Sequence, residues 1–123
     1  MDIHDPTCPT KTNSSTPWNV DCNASLTLND RLSLFSQWRG QKGNDGTGLW
    51  HLMSGCPTGT EIGVAWLGTI CMITASGQTA EGFVSGTGVS TAGRAEWQVV
   101  AHEVGHNFGA IVSDNQIISK YLF

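Results

Sequence analysis

The chain has 123 residues, which is enough for one domain of ordinary size, and its hydrophobic content of 39% suits a globular core. The net charge of −4 provides no basic patch, so we expect no binding to nucleic acid. No apolar run reaches about 18 residues, so we expect no membrane-spanning helix and no membrane contact by this segment. The N-terminus, MDIHDPTCPT, lacks the apolar stretch of a signal peptide.

The first predicted element is a helix that begins after a loop rich in Pro, Asn, Ser and Thr at residues 1–25. Thr27 can cap this helix, and Asp30 suits its first turn because a negative charge is favourable there. Gly40 is predicted to end it. Four apolar residues recur at helical spacing and are expected to face the core: Leu28, Leu32, Phe35 and Trp38.

Three strands are predicted after this helix. Residues 49–54 form a short apolar run that indicates a buried strand, and His51 within it is expected to be a core or sheet-face histidine rather than a metal ligand. Residues 62–67 are short and apolar, which also suits a strand. Residues 74–93 are rich in glycine, and we expect a loop there that contains one strand near 83–89.

The most informative motif is HEVGHNFG at residues 102–109, which lies within a predicted helix from Glu96. His102 and His106 are four residues apart, so a helix places both imidazoles on one face, where they can bind the same metal ion. Glu103 follows the first histidine, as in zinc proteases that use this glutamate as a general base. Gly109 can take a positive φ and end the helix.

The sequence WQVVAHEVGHNFGA resembles the active-site helix of metzincin proteases of the reprolysin or ADAM (a disintegrin and metalloproteinase) type, fungal ADAM-like proteins in particular. Upstream segments resemble the same family: LTLNDRLSLFSQWRG, LWHLMSGC, EIGVAWLGTIC and GFVSGTGVSTAGRAEW. The resemblance covers most of residues 1–111, a partial metalloprotease catalytic domain, and residues 112–123 form an unrelated tail. It implies an α/β (α+β) fold: the metzincin upper subdomain, with a mixed twisted sheet, a backing helix and the active-site helix, and without the lower subdomain.

The resemblance also implies a zinc-dependent metalloendopeptidase. His102 and His106 would be zinc ligands, and Glu103 would be the base that assists attack of the metal's water on a peptide bond. The extended family motif has a third histidine three residues after the glycine, but here Val112 occupies that position. Valine has no donor atom, so we expect this chain to bind zinc weakly and to have little or no activity. Asp114 is the one nearby carboxylate that can substitute as a ligand.

By the same resemblance, the strand at 62–67 is an edge strand above the cleft. Its residues Gly63, Val64, Ala65 and Trp66 would bind the backbone of a peptide or protein substrate as an added strand. A plain sheet strand is equally consistent with the residues alone. The alternative function is a non-catalytic secreted fragment that binds peptides or proteins through this edge.

The cysteines and glycosylation sequons suggest the secretory pathway. Four cysteines allow three pairings; we expect the local one, Cys8 with Cys22 and Cys56 with Cys71, and reduced thiols are the alternative. The sequons begin at Asn13 and Asn23, which suggests a glycoprotein. The family resemblance implies a protein that is secreted, or a segment on the extracellular face of a membrane-anchored parent.

Overall fold

The fold contains two helices and five strands. The structure, a computed structural model, describes residues 13–22, 25–58, 60–79 and 82–111. In chain order the elements are α1 (Leu28–Lys42), β1 (Trp50–Ser54), β2 (Gly63–Ala65), β3 (Ser76–Thr79), β4 (Gly82–Val84), β5 (Thr87–Thr91) and α2 (Glu96–Asn107). Neither of these helices is long and apolar enough to cross a membrane.

A three-stranded mixed sheet lies at the centre of the fold, in the order β1-β5-β2. The central strand β5 pairs in parallel with β1, where Trp50 is opposite Thr87, and antiparallel with β2, where Gly63 is opposite Ser90. Both helices pack against β5, which is buried along its whole length. The predicted mixed sheet with two helices is therefore confirmed, and within the described residues β2 is an edge strand.

Helix α1 begins at a capping box. The Thr27 hydroxyl accepts a hydrogen bond from the Asp30 backbone N–H, and the Asp30 carboxylate accepts one from the Thr27 backbone N–H, at 3.1 and 3.0 Å. The prediction that Gly40 ends this helix is wrong, because the helix continues to Lys42 and ends at Gly43, where φ is +66°. Gly40 instead allows close packing: a Cβ there would lie 2.5 Å from the Ala75 backbone N.

The hydrophobic core lies between α1 and the sheet. The four residues of the predicted helical stripe all belong to it, three of them buried and Trp38 partly buried. Trp18 from the N-terminal segment packs edge-on against Phe35 and Trp38, with ring centroids 5.1 and 5.3 Å apart. Val64 and Val89 complete this core from the sheet side.

The predicted strand at 83–89 is wrong in its extent, because the chain forms two separate strands there, and the first of them closes a hairpin with the preceding strand. β4 pairs antiparallel with β3, and β5 begins separately at Thr87. Gly86 lies between the two strands, and its N–H donates to the Met72 carbonyl at 2.8 Å. A Cβ at Gly86 would lie 2.8 Å from the Gly48 carbonyl oxygen, so only glycine fits at this break.

The expected local disulfide pairing is also wrong. Cys22 is bonded to Cys56, with their Cα atoms 5.1 Å apart, and Cys71 is an exposed free thiol in the part of the chain that the structure describes. The Cys71 N–H donates to the carbonyl of Gly48, before β1 begins, whereas Cys56 follows the end of β1. Five strand residues span about 17 Å, so Cys56 and Cys71 are too far apart to pair, because a disulfide requires Cα atoms within roughly 7 Å. Cys8 lies outside the described residues.

Breaking the Cys22–Cys56 bond is expected to lower the free energy of unfolding by about 4 kcal/mol, because the bond closes a loop with a sequence separation of 34. Urea denaturation of Cys56→Ser, followed by circular dichroism, measures this change. Cys71→Ser is the matched control and should leave the midpoint unchanged. Equal midpoints for the wild type and Cys56→Ser would contradict the expectation.

Candidate metal and active site

Helix α2 buries an unusually polar face against the sheet. Its three buried residues, Val99, Glu103 and Asn107, are spaced four apart, so they form one stripe along the helix. The sheet meets this stripe with a glycine: a Cβ at Gly63 would lie 2.5 Å from Glu103 Oε1 and 2.7 Å from Val99 Cγ1. The close approach of helix and edge strand therefore depends on the absence of a side chain at position 63.

The two motif histidines converge beside this stripe. The Nε2 atoms of His102 and His106 are 2.7 Å apart, and both side chains are half-buried. His106 Nδ1 lies 2.8 Å from the carbonyl oxygen of Ala110, which can only accept, so this nitrogen is the N–H donor. Neutral His106 then carries its lone pair on Nε2, and His102 Nε2–H donates to it.

The turn after α2 fixes this arrangement. Gly109 has a φ of +94°, as its position in the sequence predicts, and its N–H donates to the His106 carbonyl at 2.8 Å. The turn brings the next residue back, so that the Ala110 N–H donates to the Gly105 carbonyl at 2.9 Å. Consequently the Ala110 carbonyl faces the His106 ring and holds one tautomer.

Glu103 is completely buried, and neither carboxyl oxygen has a hydrogen-bond partner among the described residues. Burial without a counter-charge raises the pKa of this carboxyl to about 8, so the metal-free chain holds it protonated at neutral pH. Burial, and secondarily the neighbouring His106, lowers the pKa of His102 and favours its neutral form. Helix α2 therefore carries two converging imidazoles and a buried carboxyl without a hydrogen-bond partner among the described residues, and groups of this kind can bind a cation.

Introducing a methyl group at Gly63 is expected to destabilise the fold by about 1–3 kcal/mol, because it overpacks the Glu103 and Val99 contact. Thermal denaturation of Gly63→Ala tests this expectation. The control is Gly55→Ala, since a Cβ at Gly55 has no heavy atom within 4 Å. Equal losses of stability in the two variants would show that the contact at position 63 is not tight.

The residues predicted to bind substrate lie on the edge strand β2 and directly after it. Gly63, Val64 and Ala65 form β2, and the Val64 side chain is buried in the core. Trp66 follows the strand, and its indole N–H donates to Ser36 Oγ at 2.8 Å, on the α1 side. The side chains of Val64 and Trp66 are therefore both engaged within the fold.

His51 is a sheet-face histidine, as the sequence predicts. Its Nε2 pairs with Ser90 Oγ at 2.8 Å, and burial lowers its pKa to about 4. No group of three or more histidine, cysteine or acidic side chains with metal-binding geometry occurs among the described residues. Val112 and Asp114 lie outside those residues.

The chain matches the family model described as Metallo-peptidase family M12B Reprolysin-like over residues 2–120. It belongs to the reprolysin-like metallopeptidases. This match extends beyond residue 111, so the boundary between a catalytic part and a tail at 111/112 stays a prediction. The mixed sheet and two helices described above are consistent with a fragment of such a domain.

Several fungal proteins named disintegrin and metalloproteinase domain-containing protein B are similar to this reprolysin-like chain. The protein from Aspergillus fumigatus is 49% identical over 112 residues, which is 90% of this chain and 14% of that protein. The protein from Arthroderma otae is 40% identical over 114 residues, 85% of this chain and again 14% of the relative. The reprolysin-like chain thus spans about 14% of the length of the curated relatives it matches.

Sequence reasoning missed one polar residue of the reprolysin-like site, Asn107. Its side-chain amide is buried and donates to three acceptors around the end of α2. The signal was present in the spacing, because Asn107 lies four residues after Glu103 and eight after Val99, on the same helical face. A polar residue on a buried stripe predicts a specific hydrogen-bonding role.

Proposed function

We propose that this chain carries part of the catalytic domain of a zinc-dependent metalloendopeptidase, with the metzincin upper-subdomain fold, and that the chain as it stands has little or no peptidase activity. The observation that carries the proposal is the convergence of the His102 and His106 Nε2 atoms, 2.7 Å apart, on the helix that also buries Glu103. The family membership supports the same chemistry.

The two histidines fit zinc by their chemistry. Zinc takes neutral imidazole nitrogens, and the hydrogen bond from His106 Nδ1 to the Ala110 carbonyl leaves the Nε2 lone pair free for a metal. His102 fits once its proton moves from Nε2 to Nδ1, a change of tautomer that keeps the imidazole neutral and frees Nε2 for a metal. Glu103 fits as the nearby carboxylate, because a bound cation would favour its ionised form over the protonated one.

The low activity follows from the third ligand position. Zinc sites of catalytic proteins use three protein ligands, and the extended motif supplies the third from the position that Val112 occupies here. Asp114 is a competent ligand type two residues further on. With two imidazoles alone, we expect weak, substoichiometric zinc.

Each group of the site has a defined task in this proposal. Bound zinc would supply Lewis-acid polarisation of a peptide carbonyl and lower the pKa of water. Glu103 would hold the proton that water loses, at its carboxylate oxygens. Strand β2 would orient the substrate backbone by pairing along its free edge. Gly63 leaves room for the Glu103 carboxyl and the Val99 side chain between α2 and the edge strand.

The test combines metal content with peptidase activity in the 123-residue chain. We expect substoichiometric zinc by atomic absorption. We also expect no Glu103-dependent cleavage of a mixed fluorogenic peptide library, so the wild type and the control Glu103→Ala should give the same signal. Stoichiometric zinc that is lost in Asp114→Ala would contradict the proposed low activity, because it would show that Asp114 serves as the third ligand. Peptide binding that persists with EDTA in both proteins would instead favour the non-catalytic peptide-binding alternative.

We further propose that the chain folds in the secretory pathway, by family either secreted or on the extracellular face of a membrane-anchored parent. The Cys22–Cys56 disulfide supports an oxidising compartment. The sequon at Asn13 is exposed, and Asn13 Oδ1 accepts hydrogen bonds from the Ser15 N–H and hydroxyl at 2.9 and 2.7 Å. The second sequon, at Asn23, lies outside the described residues. Glycosidase treatment of chain secreted from a fungal host, with Asn13→Gln as control, tests this proposal.

A further inference from the structure

Asn107 directly follows the proposed metal ligand His106 and is fully buried at the end of α2. Its Nδ2 lies 3.0 Å from the Trp66 carbonyl, 3.0 Å from Thr69 Oγ1 and 2.9 Å from the Thr87 carbonyl, and its two hydrogens are shared among these three acceptors. Two of these partners belong to the turn after β2, and the third begins β5. One side-chain amide thus joins the last turn of the helix to the edge strand's turn and to the central strand.

The orientation of this amide is fixed by its partners. Two acceptors are backbone carbonyls, which cannot donate, so the NH₂ group must face them. Thr69 Oγ1 itself donates to the Trp66 carbonyl at 3.2 Å, so it accepts from Asn107. An aspartate or a flipped amide would place an oxygen against two carbonyl oxygens. Asparagine is therefore chemically specified here.

The backbone reinforces the same junction. The Gly68 N–H donates to the His106 carbonyl at 2.8 Å, and the Ile70 N–H donates to the Asn107 carbonyl at 3.0 Å. These carbonyls belong to the last turn of α2, beyond which the helical ladder ends, and the His106 carbonyl also accepts from the Gly109 N–H. The turn at 66–70 thus holds the end of α2 through the backbone of His106 and through the backbone and side chain of Asn107.

We infer that Asn107 is a positioning residue for the metal pair, which fixes His106 relative to His102 by anchoring the helix end to the turn after β2. This inference rests on the proposed zinc chemistry. Asn107 makes no contact with the proposed metal position through its amide, whose hydrogens are all directed at the turn and at β5. Its effect on metal binding therefore passes entirely through the placement of the His106 ring.

The first test measures the affinity of the 123-residue chain for Zn²⁺ and for the spectroscopic probe Co²⁺. Asn107→Ala is expected to weaken binding by about 10–100-fold, the range for losing a group that orients a ligand. Thr69→Val removes one of the three acceptors and should weaken binding less. Leu32→Ala is the matched control, because it opens the α1 core, away from α2, and should lower stability without changing the affinity of the folded fraction.

The second test needs no metal. Nitrogen-15 NMR of the imidazoles should show one His106 tautomer in the metal-free wild type, with the proton on Nδ1, and an averaged tautomer in Asn107→Ala. Equal weakening of metal binding by Leu32→Ala and Asn107→Ala would overturn the inference, because it would show a purely structural role. A wild-type chain that binds no zinc would contradict the proposed function. Independently of that result, an unchanged His106 tautomer in Asn107→Ala would overturn the positioning role.

Discussion

Replacing Val112 by histidine is expected to raise the zinc affinity of this chain by more than about 100-fold. Loss of a group that merely orients a ligand costs about 10–100-fold, so restoring a direct ligand should exceed that range. The spacing of the extended motif places the new imidazole at the third ligand position. The Gly109 turn, with φ of +94°, already directs the chain back towards the helix.

Calorimetric titration with Zn²⁺ measures this gain, and two variants serve as controls. Val112→Ala tests removal of the valine without adding a donor, and Ser113→His adds the same donor one position away. Neither control should gain affinity. If Ser113→His binds zinc as tightly as Val112→His, then any added histidine near the tail suffices and the motif argument is wrong. Peptidase activity that appears in Val112→His should disappear when Glu103→Gln is added.

Glu103→Gln is expected to stabilise the metal-free chain increasingly as the pH rises. Burial raises the pKa of the Glu103 carboxyl from its ordinary 4.5 to about 8, so unfolding releases a proton between these values. The free energy of unfolding of the wild type therefore falls by about 1.4 kcal/mol per pH unit in this window relative to the variant. At pH 7.5 the variant should be more stable by roughly 3 to 4 kcal/mol.

His51 acts in the opposite direction. Burial lowers its pKa from 6.5 to about 4, so unfolding takes up a proton between these values and stability is lost as the pH falls through them. The two effects oppose each other between pH 4.5 and 6.5, and Glu103 dominates above 6.5. The lowered pKa of His102 adds to the loss at acid pH.

Urea denaturation in EDTA at several pH values distinguishes these contributions. The Glu103→Gln chain should lose stability only towards acid pH, whereas the wild type should also lose it above pH 6.5. Glu96→Gln, in the first turn of the same helix, is the matched control for removing one negative charge from α2. A stability difference between wild type and Glu103→Gln that does not grow with pH would contradict the buried, unpartnered carboxyl.

The sequence predicted the features of the site that depend on local periodicity. The convergence of His102 and His106 follows from four-residue spacing on a helix, and the positive φ of Gly109 follows from its place after the last turn. The predicted apolar stripe of α1 is confirmed for the same reason, since helical spacing alone places its residues on one face. Sequence reasoning was therefore sufficient wherever neighbours along the chain decide the geometry.

Features that depend on distant contacts were not predictable in this way. Gly40 lies inside its helix and packs closely against Ala75, far along the chain, and no local signal shows that contact. Cys56 bonds to Cys22 and not to Cys71, because Cys56 and Cys71 lie at opposite ends of β1. The spacing of cysteines along the chain contains no such information. The β3–β4 hairpin arises in a glycine-rich stretch that resembles a loop by composition. The buried carboxyl of Glu103 likewise required knowledge of the facing strand.

The central position of β5 has a consequence for synthesis on the ribosome. Both of its neighbours, β1 and β2, precede it in the chain, and they pair with β5 rather than with each other. The sheet therefore cannot form until residue 91 has left the exit tunnel. Until then the backbone N–H and C=O groups of β1 and β2 lack their partners on β5. Helix α2 is synthesised immediately afterwards. A translational pause before β5 should thus favour aggregation, whereas a pause after α2 should allow sheet and helix to assemble in one step.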